Sequence, residues 1–412
     1  MHAMIKHPTI LLLSSFLIVA TQSFTKMATR GEEIQYKTIT NSCNGFSSHF
    51  YKELSSTIDG NIISSPLSVH MILSLLSHGA SNDTLEVLNA GLQHGDIAAL
   101  NNEWRSLMTS LNNIEGVKLY IANAMYIQDG VELGSEFLSI GKDIFHSLVL
   151  SLDFKNNADA ARTINEWVKK STEGLIPVVV SPGDFDEYTR LVLVNAIYFK
   201  GRWLHEFQTK NTETKPFHTL SGHEKLVPTM YRKAMFNSGD LPTLNAKFIE
   251  IPYLNQDISM IVILPNELDG LLSVQNNFDW KLLMNASVEH EKVELRLPKF
   301  KFEASINLNN ILSKLGMELM FQHNADFSRL ASEQLHVSSV IHKAVIEVSE
   351  SGTEAAAVTV VYLRARRMII EPPKQFNVDR PFMFIIEHKP SRLPLFVGSV
   401  RDIGTTPTKD EL

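Results

Sequence analysis

The chain has 412 residues, 44% of them hydrophobic and 20% charged, with a formal net charge of −7. That length supports one large domain or two ordinary ones, and an acidic balance without a long basic run excludes a general nucleic-acid surface. Cys43 is the only cysteine, so no intrachain disulfide is available and stability must come from packing.

Residues 1–23 read as a secretory signal peptide. Lys6 and His7 precede the apolar run 9–20, and small residues follow, with cleavage expected after about Ser23. The run is too short to span a bilayer comfortably, and no later segment is long and apolar enough, so no membrane span is expected. Apolar residues at helical spacing predict helices over 66–80, 83–92 and 164–175, with Gly174 as a stop. Apolar or alternating runs bounded by turn residues predict strands over 191–199, 248–254, 259–265, 293–300, 342–349, 381–388 and 393–400. Helices first and strands later, without regular alternation, predict an α+β fold with a large mixed sheet. Nothing rich in Pro or Gly divides residues 34–405, which read as one domain.

Two sequons, Asn82-Asp-Thr84 and Asn285-Ala-Ser287, are candidate N-glycosylation acceptors. The chain ends in Lys409, Asp410, Glu411 and Leu412, the address read by the KDEL receptor. With the signal peptide it places the expected protein in the endoplasmic reticulum lumen, with partial secretion open. Within 360–370, VVYLRARRMII, the cations Arg364, Arg366 and Arg367 interrupt two strand-forming runs.

Four long segments, 65–84, 191–203, 342–357 and 376–388, taken in order, resemble the serpin family; 121–130, 164–168, 252–254 and 298–303 add shorter matches. The resemblance covers essentially residues 34–404. It implies three β-sheets, eight or nine helices and an exposed reactive-centre loop, here about 350–373. It also implies a monomer without cofactor or metal whose partner is a serine protease. In inhibitory members the protease cleaves the loop as bait, and the loop's N-terminal part inserts into the main sheet as a new strand. By the same resemblance Ser65, Ser68, Asn195 and His342 form the buried polar cluster where the sheet opens. Trp203, Lys299 and Glu350 line the point of loop entry.

The residues of the loop suit insertion on their own chemistry. The hinge comprises Glu350, Gly352, Thr353, Glu354, Ala355, Ala356 and Ala357. From Thr353 one strand face carries Thr353, Ala355, Ala357, Thr359 and Val361, all small or β-branched and uncharged. Gly352 supplies a pivot, and no proline removes a ladder hydrogen bond over 351–367.

Arg364, Arg366 and Arg367 form Arg-X-Arg-Arg, similar to the recognition site of furin-type proprotein convertases, whose carboxylate pockets suit arginine's fork. This pattern sets the reactive bond at Arg367–Met368. The commonest family spacing, counted from Glu350, sets it at Arg366–Arg367, which suits a trypsin-like protease. A non-inhibitory, collagen-binding chaperone of the endoplasmic reticulum is the alternative reading, and it explains neither the small-residue hinge nor the arginines. An enzyme is not expected: the chain holds no Gly-X-Ser-X-Gly, His-Glu-X-X-His or Cys-X-X-Cys pattern.

Overall fold

A computed structural model describes residues 36–350 and 372–404, apart from 96 and 113. Nine α-helices lie among the described residues. The first four are α1 (Lys37–Thr57), α2 (Pro66–Gly79), α3 (Asn82–Leu92) and α4 (Ile97–Leu111). The remainder are α5 (Ser135–Asp143), α6 (Asn157–Ser171), α7 (Leu271–Asn277), α8 (Trp280–Met284) and the single turn α9 (Asn309–Leu312). None is long and apolar enough to cross a membrane.

The smaller sheet is central to the site. It contains β2 (Val117–Gln128), β3 (Leu148–Leu152), β4 (Leu191–Gly201), β10 (Phe300–Asn307) and β11 (Val337–Val348), in the order β10-β11-β4-β2-β3. Its middle pair, β4 and β11, is parallel, whereas β10 with β11 and β2 with β4 are antiparallel. Both faces are covered, so β4 reads as a continuous apolar run rather than an alternating one. Leu193, Ile197 and Phe199 point into the main core with α2, and Val192, Val194, Ala196 and Tyr198 pack on a second core. The helix over that second face is α6, through Ala160, Ala161, Ile164 and Val168.

The larger sheet has nine strands and is two sheets sharing one strand, which gives the expected three. The shared strand is β6 (Glu224–Leu241). Its first part pairs with β5 (Glu213–His218) and β9 (Glu289–Pro298), the latter also carrying β12 (Lys374–Asn377). Its last residues, Asn237 to Leu241, turn onto β7 (Ala246–Pro252). The second part continues through β8 (Ile258–Pro265), β13 (Phe382–His388), β14 (Leu393–Val400) and β1 (Ile62–Ser64).

Several expectations change. The run 121–130, read only as a shorter family match, falls largely in β2, a strand ending at Gln128 whose inner residues are buried between α2 and α6 and so show no period that separates strand from helix. The helix over 164–175 begins earlier and ends at Ser171. Gly174 stands beyond it at φ +81°, where its amide bonds the Lys169 carbonyl and closes the turn. The strand over 293–300 is the end of β9, and Phe300 already belongs to β10.

Candidate functional site

The middle of the β4–β11 pair is polar where its surroundings are not. Asn195 and His342 lie opposite each other in the parallel register, and Asn123 of β2 lies opposite Asn195 on its other side. Below them the N-terminus of α2 points at the sheet. Ser65 is its N-cap, with the hydroxyl accepting from Ser68 N at 3.2 Å, and Pro66 fills the first helical position, where no amide is needed. Ser65, Ser68, Asn195 and His342 are all fully buried.

Hydrogen-bond direction through this cluster follows from one contact. Ser65 N–H donates to His342 Nε2 at 3.0 Å, so Nε2 is unprotonated and Nδ1 carries the hydrogen. His342 Nδ1 therefore donates to Asn195 Oδ1, and Asn195 Nδ2 donates to Ser68 Oγ and Asn123 Oδ1. Asn123 Nδ2 turns to Met71 Sδ at 3.1 Å. Burial pulls the His342 imidazole down to about 3, which keeps it neutral and in this tautomer. The four expected residues meet. Asn123 completes them and was missed, although it is a lone polar residue in an apolar run.

At the other end of the pair, where β11 runs out at Val348, the loop-entry residues converge. Lys299 Nζ sits 2.8 Å from Glu350 Oε2, Thr212 Oγ1 donates to Glu350 Oε1 at 2.9 Å, and Phe207 N donates to the Glu350 carbonyl at 3.1 Å. Burial raises the Glu350 carboxyl, but the Lys299 ammonium, a backbone N–H and the Thr212 hydroxyl outweigh it and hold the group below its usual value. Trp203 Nε1 donates to the Ser349 carbonyl at 2.8 Å, and its ring stacks on Tyr253 at 4.3 Å. Gly201 permits this: a Cβ there would lie 2.5 Å from the Tyr253 ring. Thr212 and Phe207 lie on a connection with no periodic signal, and sequence reasoning did not find them.

Both sequon asparagines are exposed, Asn285 just past the end of α8 and Asn82 at the start of α3. Asn82 Nδ2 already donates to Asp326 Oδ2 at 2.7 Å. The reactive bond and its arginines (Arg364, Arg366, Arg367, Met368), the hinge from Gly352 to Ala357, residues 1–23 and Lys409 to Leu412 lie outside the described residues. No group of three or more metal-ligating side chains occurs among the described residues.

Comparison with known proteins agrees with this architecture. Residues 41–403 match the profile of the family described as Serpin (serine protease inhibitor). The chain is 34% identical to "Antitrypsin" of Bombyx mori over 385 residues, covering 92% of this chain and 96% of that protein. It is 35% identical to "Leukocyte elastase inhibitor" of Bos taurus, covering 82% and 92%. Among solved structures, Serpin48 of the insect Tenebrio molitor superposes with a TM-score of 0.82 at 32% identity, covering 90% of this chain and all of that one. Native protease nexin-1 with heparin gives 0.79 at 30% identity, covering 88% and 100%.

Proposed function

Because the chain belongs to the serpin family of serine protease inhibitors and is not an enzyme, we propose that it traps a basic-specific protease, of the furin-like convertase type, using residues 364–367 as bait. The cleaved loop then enters the five-stranded sheet between β4 and β11. The observation that carries this reading is the parallel pairing of those two strands. A segment that follows β11 through a tight turn runs antiparallel to β11, and therefore antiparallel to β4 as well. Insertion replaces one parallel ladder, the slightly weaker kind, with two antiparallel ones. The neutral hydrogen bonds of Asn195 and His342 span the seam, and such bonds can be exchanged without stranding a buried charge.

The Arg-X-Arg-Arg pattern supports the convertase over a general trypsin-like enzyme. The Bombyx relative, named for trypsin, supports the trypsin-like alternative with cleavage after Arg366. The signal peptide and the Lys409–Leu412 tetrapeptide support residence in the endoplasmic reticulum lumen, where convertases pass during maturation, with retrieval by the KDEL receptor.

The test mixes purified protein with a furin-type convertase and, separately, with trypsin. The expected result is a complex that survives SDS and boiling, with a released peptide beginning at Met368. A peptide beginning at Arg367 assigns the trypsin-like alternative. Cleavage without complex reduces the arginines to a processing site.

A further inference from the structure

A cleft of about 400 Å³ opens where β4 and β11 begin, at the end of the sheet opposite Glu350. Its walls include Phe185, Tyr188 and Ser339, with the carboxylates of Asp184 and Asp186. Each carboxylate is half used. Asp184 Oδ2 accepts from Ser181 N and Oγ at 2.7 and 3.1 Å, and Asp186 Oδ1 accepts from Tyr188 N and Thr189 Oγ1, both at 3.0 Å. Asp184 Oδ1 and Asp186 Oδ2 take no hydrogen bond or ion pair among the described residues. The cations nearby do not neutralise them. Arg190 spends Nη1 on the carbonyls of Glu187 and Thr189, and His336, edge-to-face against His323, is held below its usual value by burial.

We propose that this cleft receives Tyr362 and Arg364 of the cleaved loop, as the far anchor of the inserted strand. The inference rests on the insertion reading above and adds a binding site to it. Strand β11 holds 12 residues and ends at Val348. If the tight turn takes 349–352, Thr353 comes opposite Val348 and the strand runs back one residue for one. Tyr362 then arrives beside Ser339; the bulge between Val337 and Ser339 sets Leu363 beside Val337 and Arg364 beside His336, and all three of those β11-side residues line the cleft.

The face is also determined. From Val340 onward, residues of β11 alternate between the main core, with Ala344 and Ile346, and the α6 side, with Ile341 and Val345; Val337, before the bulge, lies in the main core. Thr353 stands opposite Val348 of the main core, so the odd-numbered loop residues face inward and Tyr362 and Arg364 face the α6 side. Phe185 packs in that second core. An aromatic ring followed two residues later by a guanidinium matches a cleft with an aromatic wall and two half-free carboxylates. Arginine at position 364 would therefore serve twice, read first by the protease and then by the inhibitor's own far pole.

The test removes the protease. A synthetic peptide of residues 353–364 is annealed to the full-length, uncleaved protein, and its dissociation rate and the thermal midpoint of the complex are measured. The native peptide is expected to raise the midpoint. A peptide carrying Arg364→Glu should dissociate about fivefold faster, the scale of an exposed ion pair, and one carrying Tyr362→Ala about tenfold faster. The protein variant Asp184→Asn/Asp186→Asn, which keeps the acceptor oxygens of both turns, should lose the preference for Arg364. Equal rates for all three peptides would overturn the anchor while leaving insertion intact. No stabilisation by any peptide would overturn insertion itself, and the anchor with it. A complex of twice the expected mass would assign the cleft to a second copy's loop and overturn the intramolecular anchor.

Discussion

His342 Nδ1 donates to Asn195 Oδ1 straight across the β4–β11 seam, while Ser65 N–H fixes the opposite nitrogen of the same ring. Neighbouring strands lie about 4.8 Å apart, so a strand inserted between them would separate the pair to about 9.6 Å and break this bond. On the insertion reading, the bond belongs to the uncleaved form alone. His342→Ala should therefore leave the Ser65 amide and the Asn195 carbonyl unpaired and cost the uncleaved protein about 3 kcal/mol. The loss after loop cleavage should be smaller. Urea midpoints of both forms check this, and equal losses would contradict it.

Acid should weaken the uncleaved protein well above the carboxylate range. Burial lowers His70 to about 4, His342 to about 3 and His388 to about 4. In the unfolded chain each takes a proton near 6.5, so the unfolded state binds protons first. Stability is complete above pH 6.5 and falls as pH drops toward the folded values. The slope is up to about 1.4 kcal/mol per pH unit for each histidine. Thermal midpoints should be level from pH 7 to 8 and decline clearly between 6.5 and 5. A midpoint at pH 5 equal to that at pH 7.5 would sink the prediction.

The two halves of the Lys299–Glu350 ion pair should not be equivalent. The Glu350 side chain is 9% exposed, whereas the Lys299 side chain is 37% exposed. Lys299→Ala leaves a carboxylate buried without its cation, held only by Thr212 and backbone. Glu350→Gln leaves a lysine that can turn to water. The first should cost about 2 kcal/mol and the second about 1 kcal/mol or less. Both should quicken peptide annealing at the loop-entry end. Reversal of the order in thermal unfolding would refute the assignment.

Glycan attachment should favour one sequon. Asn285 is exposed with no side-chain hydrogen bond among the described residues, whereas the Asn82 amide is engaged with Asp326, and Thr84 of the same sequon is buried. Protein made in secretory cells should lose one glycan's mass on amidase treatment, and Asn285→Gln should abolish that shift. A shift that survives Asn285→Gln would locate the glycan at Asn82.

Much of this protein was legible in its residues. The long strands β4, β8, β13 and β14 announce themselves because both faces are buried and their side chains are continuously apolar. The same continuity hid β2, since a run apolar on both faces has no period to distinguish strand from helix. Ser65, Ser68, Asn195 and His342 were found by family resemblance, not by chemistry. Alone, each is an ordinary polar residue, and the seam between two strands about 150 positions apart is not written in either one.

What the sequence by itself determined is composition-level and local: the helix over 66–80, the strand-compatible, uncharged face from Thr353 to Val361, and the spacing of three arginines. Local rules are enough for these, because each depends on a few adjacent side chains. The tertiary structure alone decided that β4 and β11 run parallel, that Asn123 closes the polar cluster, that Thr212 reaches Glu350, and that Asp184 and Asp186 face a cleft at the far pole. The first three of those relationships join residues from 72 to 147 positions apart in the hydrogen bonds that make them. Only the packing of two cores on opposite faces of one sheet brings such residues within bonding distance.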